Sequence, residues 1–141
     1  MKRKIYNPFT GNLLQQILLV PMLLLNTMGG ILIFFLLLFS FNIKEIRVEH
    51  GIDICASGWF GRWFDRMGWG AFTFGITMFY WSKLSYNDLL TRTHERIHIR
   101  QEIKWGPLWP IIYIAYLTEF GYENNPFEIE AREKSEKLFR L

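Results

Sequence analysis

The feature that most restricts the fold is an uncharged, almost wholly apolar run over residues 13–41 of this 141-residue chain. About 20 apolar residues in a helix cross the hydrocarbon core of a bilayer, so the run predicts one transmembrane helix. The run is too short for two crossings and lacks a clear signal-peptide cleavage site, so we expect a retained anchor. Roughly a hundred residues then remain for a folded domain.

The charges beside this run predict its orientation. A basic segment over residues 1–12 precedes it, whereas Lys44 and Arg47 follow it together with acidic residues. Because basic residues favour the cytoplasmic side, we expect a single-pass membrane protein with a cytoplasmic N-terminus and the lipid bilayer as a partner. The net charge of +3, without a basic stripe, argues against nucleic acid as a partner.

In the segment 42–70, residues 51–70 are rich in glycine and aromatic residues, and Trp59 and Trp63 have the spacing of one helix face. Such segments favour the headgroup layer of a membrane, and packing inside the domain is an equal alternative. We therefore expect an aromatic connector here. The single cysteine, Cys55, excludes an internal disulfide and a C-x-x-C metal site.

The remaining residues, 71–141, predict a small α+β domain. Large side chains alternate with mostly small ones over 71–80, which predicts a strand or a bent strand pair. Ser85 and Asp88 have the spacing of a capping box and open the first predicted helix. The helices are expected over about 86–104, 109–120 and 126–141.

The motif that carries chemistry is His94-Glu95-Arg96-Ile97-His98, which falls inside the first of these helices. Residues four apart lie one above the other on a helix, so both imidazoles can bind one ion while Glu95 reaches its water. This HExxH pattern predicts zinc held by His94 and His98, with Glu95 as the general base. The alternative is a solvated helix face that carries these residues by chance.

Two histidines and a water leave zinc one protein ligand short. On the last predicted helix, Glu128 falls inside the apolar arc, so it is the expected third ligand. The same glutamate occupies a capping-box position, which explains it without a metal. Glu130, Glu119 and Glu123 stay open as alternative ligands.

Polar and aromatic residues near the motif supply further candidates. Gln101 and Glu102 lie one turn past the second histidine, where they can accept a hydrogen bond from a ligand imidazole; ordinary surface polarity explains them equally well. Tyr113, Tyr116 and Tyr122 can each stabilise an oxyanion, or pack in the core.

The stretch Thr91 to Ile99, together with Glu128-Ile129-Glu130-Ala131-Arg132, resembles the gluzincin arrangement of integral-membrane metalloproteases, the prenyl-protein (CAAX) and HtpX-like families. It departs from that pattern at Arg96, where an uncharged residue is preferred, and at Arg132, where the families carry aspartate. The motif and the downstream Asn125-Pro126-Phe127-Glu128 also resemble small bacterial and phage proteins of the minimal zincin type.

The resemblance implies that His94, His98 and Glu128 hold zinc, that Glu95 acts as base and later as proton donor, and that a peptide pairs with the strand over 71–80. We therefore expect a membrane-anchored zinc metallopeptidase. Its fold would be a transmembrane helix followed by a zincin-like α+β domain with a short edge strand or hairpin and about three helices. The alternative is a non-catalytic membrane protein whose motif helix is structural or binds metal without turnover.

Overall fold

The computed structural model describes residues 7–8, 24, 27–32, 35, 43–106 and 108–140. Most of the described chain forms one sheet with helices packed on both of its faces. The strands are β1 (Ile43–Val48), β2 (Ile52–Ala56), β3 (Ala71–Phe74) and β4 (Thr77–Tyr80), and the helices are α1 (Trp59–Arg66), α2 (Lys83–Asn87), α3 (Leu89–Trp105), α4 (Leu108–Asn124) and α5 (Pro126–Arg140).

The four strands lie in the order β1-β2-β4-β3, so β3 is at an edge of the sheet. The pairs β1–β2 and β3–β4 are antiparallel, and β2–β4 is parallel. Gly75 joins β3 to β4 with φ of 60°, which glycine adopts without steric cost, and a Cβ there would lie 2.4 Å from the backbone N of Thr27. The sequence between 71 and 80 therefore forms a hairpin with a tight turn.

Side chains of the central strands alternate between two apolar clusters, one on each face of the sheet. Phe79 and Trp81 point to the face covered by α1, where Phe64 stacks on Trp81 with ring centroids 4.9 Å apart. Met78 packs with Ile99 of α3 on the opposite face. Because both faces are covered, nearly all residues of the central strands β2 and β4 are buried.

The motif helix α3 begins at Leu89, later than predicted. Its N-cap is Asp88, whose carboxylate accepts from the backbone N–H of Thr91 at 2.8 Å. The short helix α2 has its own cap, Ser82, whose hydroxyl accepts from the backbone N–H of Ser85 at 3.0 Å. The capping box predicted from Ser85 and Asp88 is therefore wrong, because Ser85 lies inside α2 whereas Asp88 caps α3.

The predicted transmembrane helix falls largely outside the described residues, although residues 27–32 of that run are helical. Of the helices that the structure describes, none combines the length and the hydropathy needed to cross a membrane. The strongly apolar α4 is interrupted at Gly121, where φ is 74°. The expected architecture of a membrane-spanning helix followed by a zincin-like domain is therefore wrong: the described residues form an α+β fold around a four-stranded sheet. The predicted single-pass location depended on that helix.

Residues 42–70, expected as a connector, contribute β1, β2 and α1 to the folded body. Of the predicted N-terminal segment 1–12, the described residues are 7 and 8. The strand β2 gave no clear pattern in the sequence because Asp53 and Cys55, at alternate positions, are as buried as the apolar residues between them. An ion pair between Asp53 and α3 allows this acid to be buried.

Candidate metal centre

The two motif histidines lie on one face of α3. Their Nε2 atoms are 3.1 Å apart, and their ring centroids are 4.8 Å apart. His98 is buried and His94 is partly exposed. The four-residue spacing therefore brings both nitrogens to one place at the surface of the helix.

The first turn of α5 brings Glu128 to the same place. Asn125 opens this helix, and its side-chain oxygen accepts from the backbone N–H of Phe127 at 3.0 Å. The carboxylate of Glu128 is then free of the capping role and lies 3.1 Å from Nε2 of His94 and 3.2 Å from Nε2 of His98. Glu128 is only 2% exposed, so this carboxylate is buried against the two rings.

The alternative ligands lie elsewhere. Glu130 pairs with Lys134 at 2.5 Å, Glu123 pairs with Arg132 at 2.9 Å, and Glu119 is exposed on α4. Within the described part of the chain, the group of His, Cys, Asp and Glu side chains able to hold an ion consists of His94, His98 and Glu128.

The spacing of the three donors fits zinc. Ligands bound tetrahedrally at about 2.0–2.1 Å from zinc are separated from one another by about 3.3 Å. Nε2 of His94 lies 3.1 Å from Nε2 of His98 and 3.1 Å from Oε2 of Glu128, while Nε2 of His98 lies 3.2 Å from the other oxygen, Oε1, and each of these separations is close to that value. Two imidazoles and one carboxylate are also a donor set found in catalytic zinc sites, where a fourth position stays open.

Gln101 determines which nitrogen of His98 carries the proton. The side-chain N–H groups of Gln101 donate to the carbonyl of Phe127 and to Oε2 of Glu130, both at 2.9 Å. Its Oε1 must therefore face Nδ1 of His98, at 2.8 Å, and accept from it. The neutral ring then presents the lone pair of Nε2 to the cluster, which is the tautomer that a metal ligand needs.

The cluster is electrostatically coupled. Burial lowers the pKa of His98, but the Glu128 carboxylate outweighs burial and raises the pKa to about 9. Burial raises the pKa of Glu128, but hydrogen bonds from His94 and His98 outweigh burial and hold it well below its usual range. A metal ion bound here would therefore have to displace a proton from His98 at neutral pH.

Glu95, the predicted base, contacts the sheet. The hydroxyl of Thr73 on β3 donates to its Oε2 at 2.5 Å, and Thr73 and Glu95 are only 3% and 5% exposed. The side chain also lines a cavity together with His98 and Glu128. A carboxylate held beside metal donors at a cavity wall can take a proton from a water molecule there. The sequence held no signal for Thr73, because its role depends on the packing of β3 against α3.

Glu102 lies away from the metal donors. Its carboxylate accepts from the backbone N–H of Gly75 at 3.1 and 3.2 Å, which anchors the β3–β4 turn to α3. The sequence grouped Glu102 with Gln101 because both follow the motif by about one turn. One further residue is a rotation of about 100°, and that rotation directs Glu102 toward the sheet.

The three candidate tyrosines have different surroundings. Tyr113 donates to Oε1 of Glu128 at 2.8 Å, and burial together with that carboxylate raises the pKa of Tyr113 far above its usual value. Tyr122 lines the same cavity, and burial and Glu128 raise its pKa as well. Tyr116 packs against Phe127 with ring centroids 5.8 Å apart. Tyr113 and Tyr122 therefore face the site, while Tyr116 packs among other aromatic rings.

Arg96, the charged residue inside the motif, faces away from the metal donors. It is fully buried and donates to both oxygens of Asp53 on β2, at 3.1 and 2.7 Å. Arg92 and Tyr80 donate to the same carboxylate at 2.7 and 2.9 Å. Two residues along a helix are a rotation of about 200°, so Arg96 ties α3 to the sheet while His94 and His98 stay on the other side. Nothing in the sequence indicated this role for Asp53, because a lone acid does not show which residues it will pair with.

A cavity of about 220 Å³ adjoins the cluster. Glu95, His98 and Glu128 form part of its wall, and the remainder comes mainly from β3 and α4. The cavity therefore gives a small molecule or a side chain access to the same carboxylates and imidazole that would hold and serve a metal ion.

No family model, curated protein or solved structure matches this chain. The likeness to gluzincin proteases therefore rests on two short motifs.

Proposed function

We propose that this chain is a zinc-dependent hydrolase that cleaves a peptide or related amide bond. One observation carries the proposal. The Nε2 atoms of His94 and His98 lie 3.1 Å apart and 3.1–3.2 Å from the two oxygens of Glu128, and His98 and Glu128 line one cavity together with the buried carboxylate of Glu95. This combination supports a general base acting beside a metal site that a substrate could reach.

Each side chain of the site has its own role in the proposed hydrolysis. When bound, zinc would supply a Lewis acid that polarises the substrate carbonyl and lowers the pKa of a water molecule. Glu95 takes the proton from the attacking water and delivers it to the leaving amine as the C–N bond breaks. Gln101 keeps the proton of His98 on Nδ1, and Tyr113 holds the Glu128 carboxylate through its hydroxyl.

The edge strand β3 supports an extended substrate. Trp81 donates its backbone N–H to the carbonyl of Gly70, and alternation along the antiparallel β3–β4 ladder then directs the backbone groups of Ala71 and Thr73 away from β4. Both residues line the cavity. A peptide added along this edge would pair with those groups and cross the cavity beside Glu95.

Metal analysis tests the proposal first. Purified protein reloaded with zinc should bind one ion per chain, and His94→Ala and Glu128→Ala should lose it. Glu130→Ala is the control and should keep the ion, since Glu130 contacts Lys134 and Gln101 rather than the two rings, and Gln101 keeps its bond to the carbonyl of Phe127. Loss in Glu130→Ala with retention in Glu128→Ala would move the third ligand, and absence of bound zinc in the unaltered protein would end the proposal.

Hydrolysis of a fluorogenic peptide mixture then separates an enzyme from a metal-binding protein without turnover. Glu95→Gln should keep the zinc and lose the activity, because an amide cannot take the proton. If zinc-loaded wild-type protein cleaves no faster than zinc-loaded Glu95→Gln, the chain is a non-catalytic metal-binding protein.

A further inference from the structure

The cavity beside the metal donors has a strongly apolar wall. Phe72 and Phe74 contribute to it from β3, and Trp109, Ile114 and Leu117 contribute from α4. Among the described residues that line it there is no lysine or arginine. Burying a charged group against such a wall is costly, whereas burying an apolar one is favourable.

The size of the cavity suits one large side chain. Its volume of about 220 Å³ lies below the roughly 300–1,000 Å³ of sites that enclose a whole small-molecule ligand. Ile114, which lines it, is 58% exposed, so the cavity opens to the surface. A side chain that projects from an extended chain at the surface can therefore enter.

The reactive groups and the apolar wall belong to the same cavity. Side chains of a strand alternate in direction, so a peptide paired along β3 directs every second side chain to one side. Peptides bound by strand addition take their affinity from backbone hydrogen bonds and their specificity from pockets for alternate side chains. When a peptide bond of such a substrate lies near Glu95, the side chain of one of the two residues joined by that bond lies at the apolar wall.

We infer that the substrate is an extended polypeptide with a large apolar side chain, such as phenylalanine, next to the bond that is cleaved, and that the cavity between β3 and α4 binds this side chain. The inference rests on the proposed hydrolase function and specifies its substrate class.

Matched peptides test it. Three otherwise identical short peptides carry Phe, Ala or Glu at one position, and mass spectrometry locates the cleaved bond. We expect kcat/KM for the Phe peptide to exceed that for the Ala peptide by about tenfold or more, with cleavage beside the Phe, and the Glu peptide to be the poorest substrate. Equal kcat/KM for all three would overturn the inference while leaving the hydrolase proposal intact.

A charge placed in the wall gives a stricter test. Leu117→Lys should lower kcat/KM for the Phe peptide and raise it for the Glu peptide, because an ammonium group would then pair with the substrate carboxylate. Ile111→Lys is the matched control: it lies on the same helix, is 66% exposed and does not line the cavity, so the order Phe, Ala, Glu should persist. The same change of preference in both variants would indicate a general charge effect and count against the cavity.

Binding separates failure of the inference from failure of the proposed function. Fluorescence anisotropy of labelled peptides is measured on zinc-loaded Glu95→Gln and on zinc-free protein, neither of which needs to turn over. Tighter binding of the Phe peptide, abolished by Leu117→Lys, would support the cavity even if no hydrolysis occurred. Cleavage without any difference in affinity or rate would reject the cavity and retain the enzyme.

Discussion

The hydroxyl of Thr73, on the edge strand β3, donates a hydrogen bond to Oε2 of Glu95, on the motif helix α3, across 2.5 Å. Both side chains are buried. The bond joins the strand proposed to bind substrate to the carboxylate proposed to move the proton. It leaves the Glu95 carboxylate in a defined orientation, and small displacements of a catalytic group can cost large factors in rate.

Replacing Thr73 with valine should therefore reduce kcat by about tenfold to a hundredfold, because the side chain keeps its shape and loses the donor. Zinc content should not change, since Thr73 contacts no metal donor. Thr73→Ser retains the hydroxyl and should restore most of the rate. Steady-state kinetics with zinc analysis checks this, and equal losses in the valine and serine variants would show that packing, not the hydroxyl, matters.

Gln101→Met should weaken zinc binding by about tenfold to a hundredfold, because Nδ1 of His98 loses the acceptor that keeps its tautomer. Competition with a chromogenic chelator measures the affinity. Lys104→Met, an exposed position on the same helix, is the control and should bind zinc as the wild type does. Unchanged affinity in Gln101→Met would mean that the cluster orients His98 without help.

The raised pKa of His98 predicts how pH affects the zinc-free protein. Its folded-state pKa of about 9 lies above the ordinary histidine pKa of 6.5, so the stabilisation is fully present below pH 6.5 and is lost as pH rises through about 9. Urea unfolding of zinc-free protein across this range should show falling stability. Over the same range, zinc affinity should rise by about tenfold per pH unit as one proton is displaced. A flat profile in both measurements would contradict the coupling to Glu128.

Arg96→Met should destabilise the protein by about 3 kcal/mol, because Asp53 stays buried with one partner fewer. Arg140→Met removes an exposed pair with Glu136 and should cost less than about 1 kcal/mol. Urea unfolding of the zinc-free variants measures both values without a contribution from the metal. Equal effects of the two substitutions would mean that the buried network adds no more than a surface pair.

The spacing of residues within single helices predicted which side chains share a helix face. The four-residue interval placed His94 and His98 on one side of α3, and the apolar arc of the last helix directed attention to Glu128, which the structure places 3.1–3.2 Å from both rings. These relationships follow from the fixed rotation per residue of an α-helix, so they are local and can be read without knowing the fold.

Properties that depend on distant partners could not be read in that way. The apolar run over 13–41 predicted a membrane-spanning helix from hydropathy alone, and no described helix has the required length and hydropathy. The buried Asp53 interrupted the apolar pattern by which β2 could have been predicted. Arg96 departs from the motif because it pairs with Asp53, which lies 43 residues earlier in the chain. Hydropathy reports what one segment prefers, but burial of a charge depends on what another segment brings to it.

The chain's local order thus specifies the helices, their faces and the two imidazoles that meet on α3. The convergence of Glu128 with them, the hydrogen bond between Thr73 and Glu95, the orientation of Gln101 and the apolar cavity all come from the packing of α3 against β3, α4 and α5. The physical reason is the distance along the chain over which each effect acts. Helical periodicity relates residues a few positions apart, whereas the site is formed by side chains that are far apart in the sequence and meet only when the elements pack together.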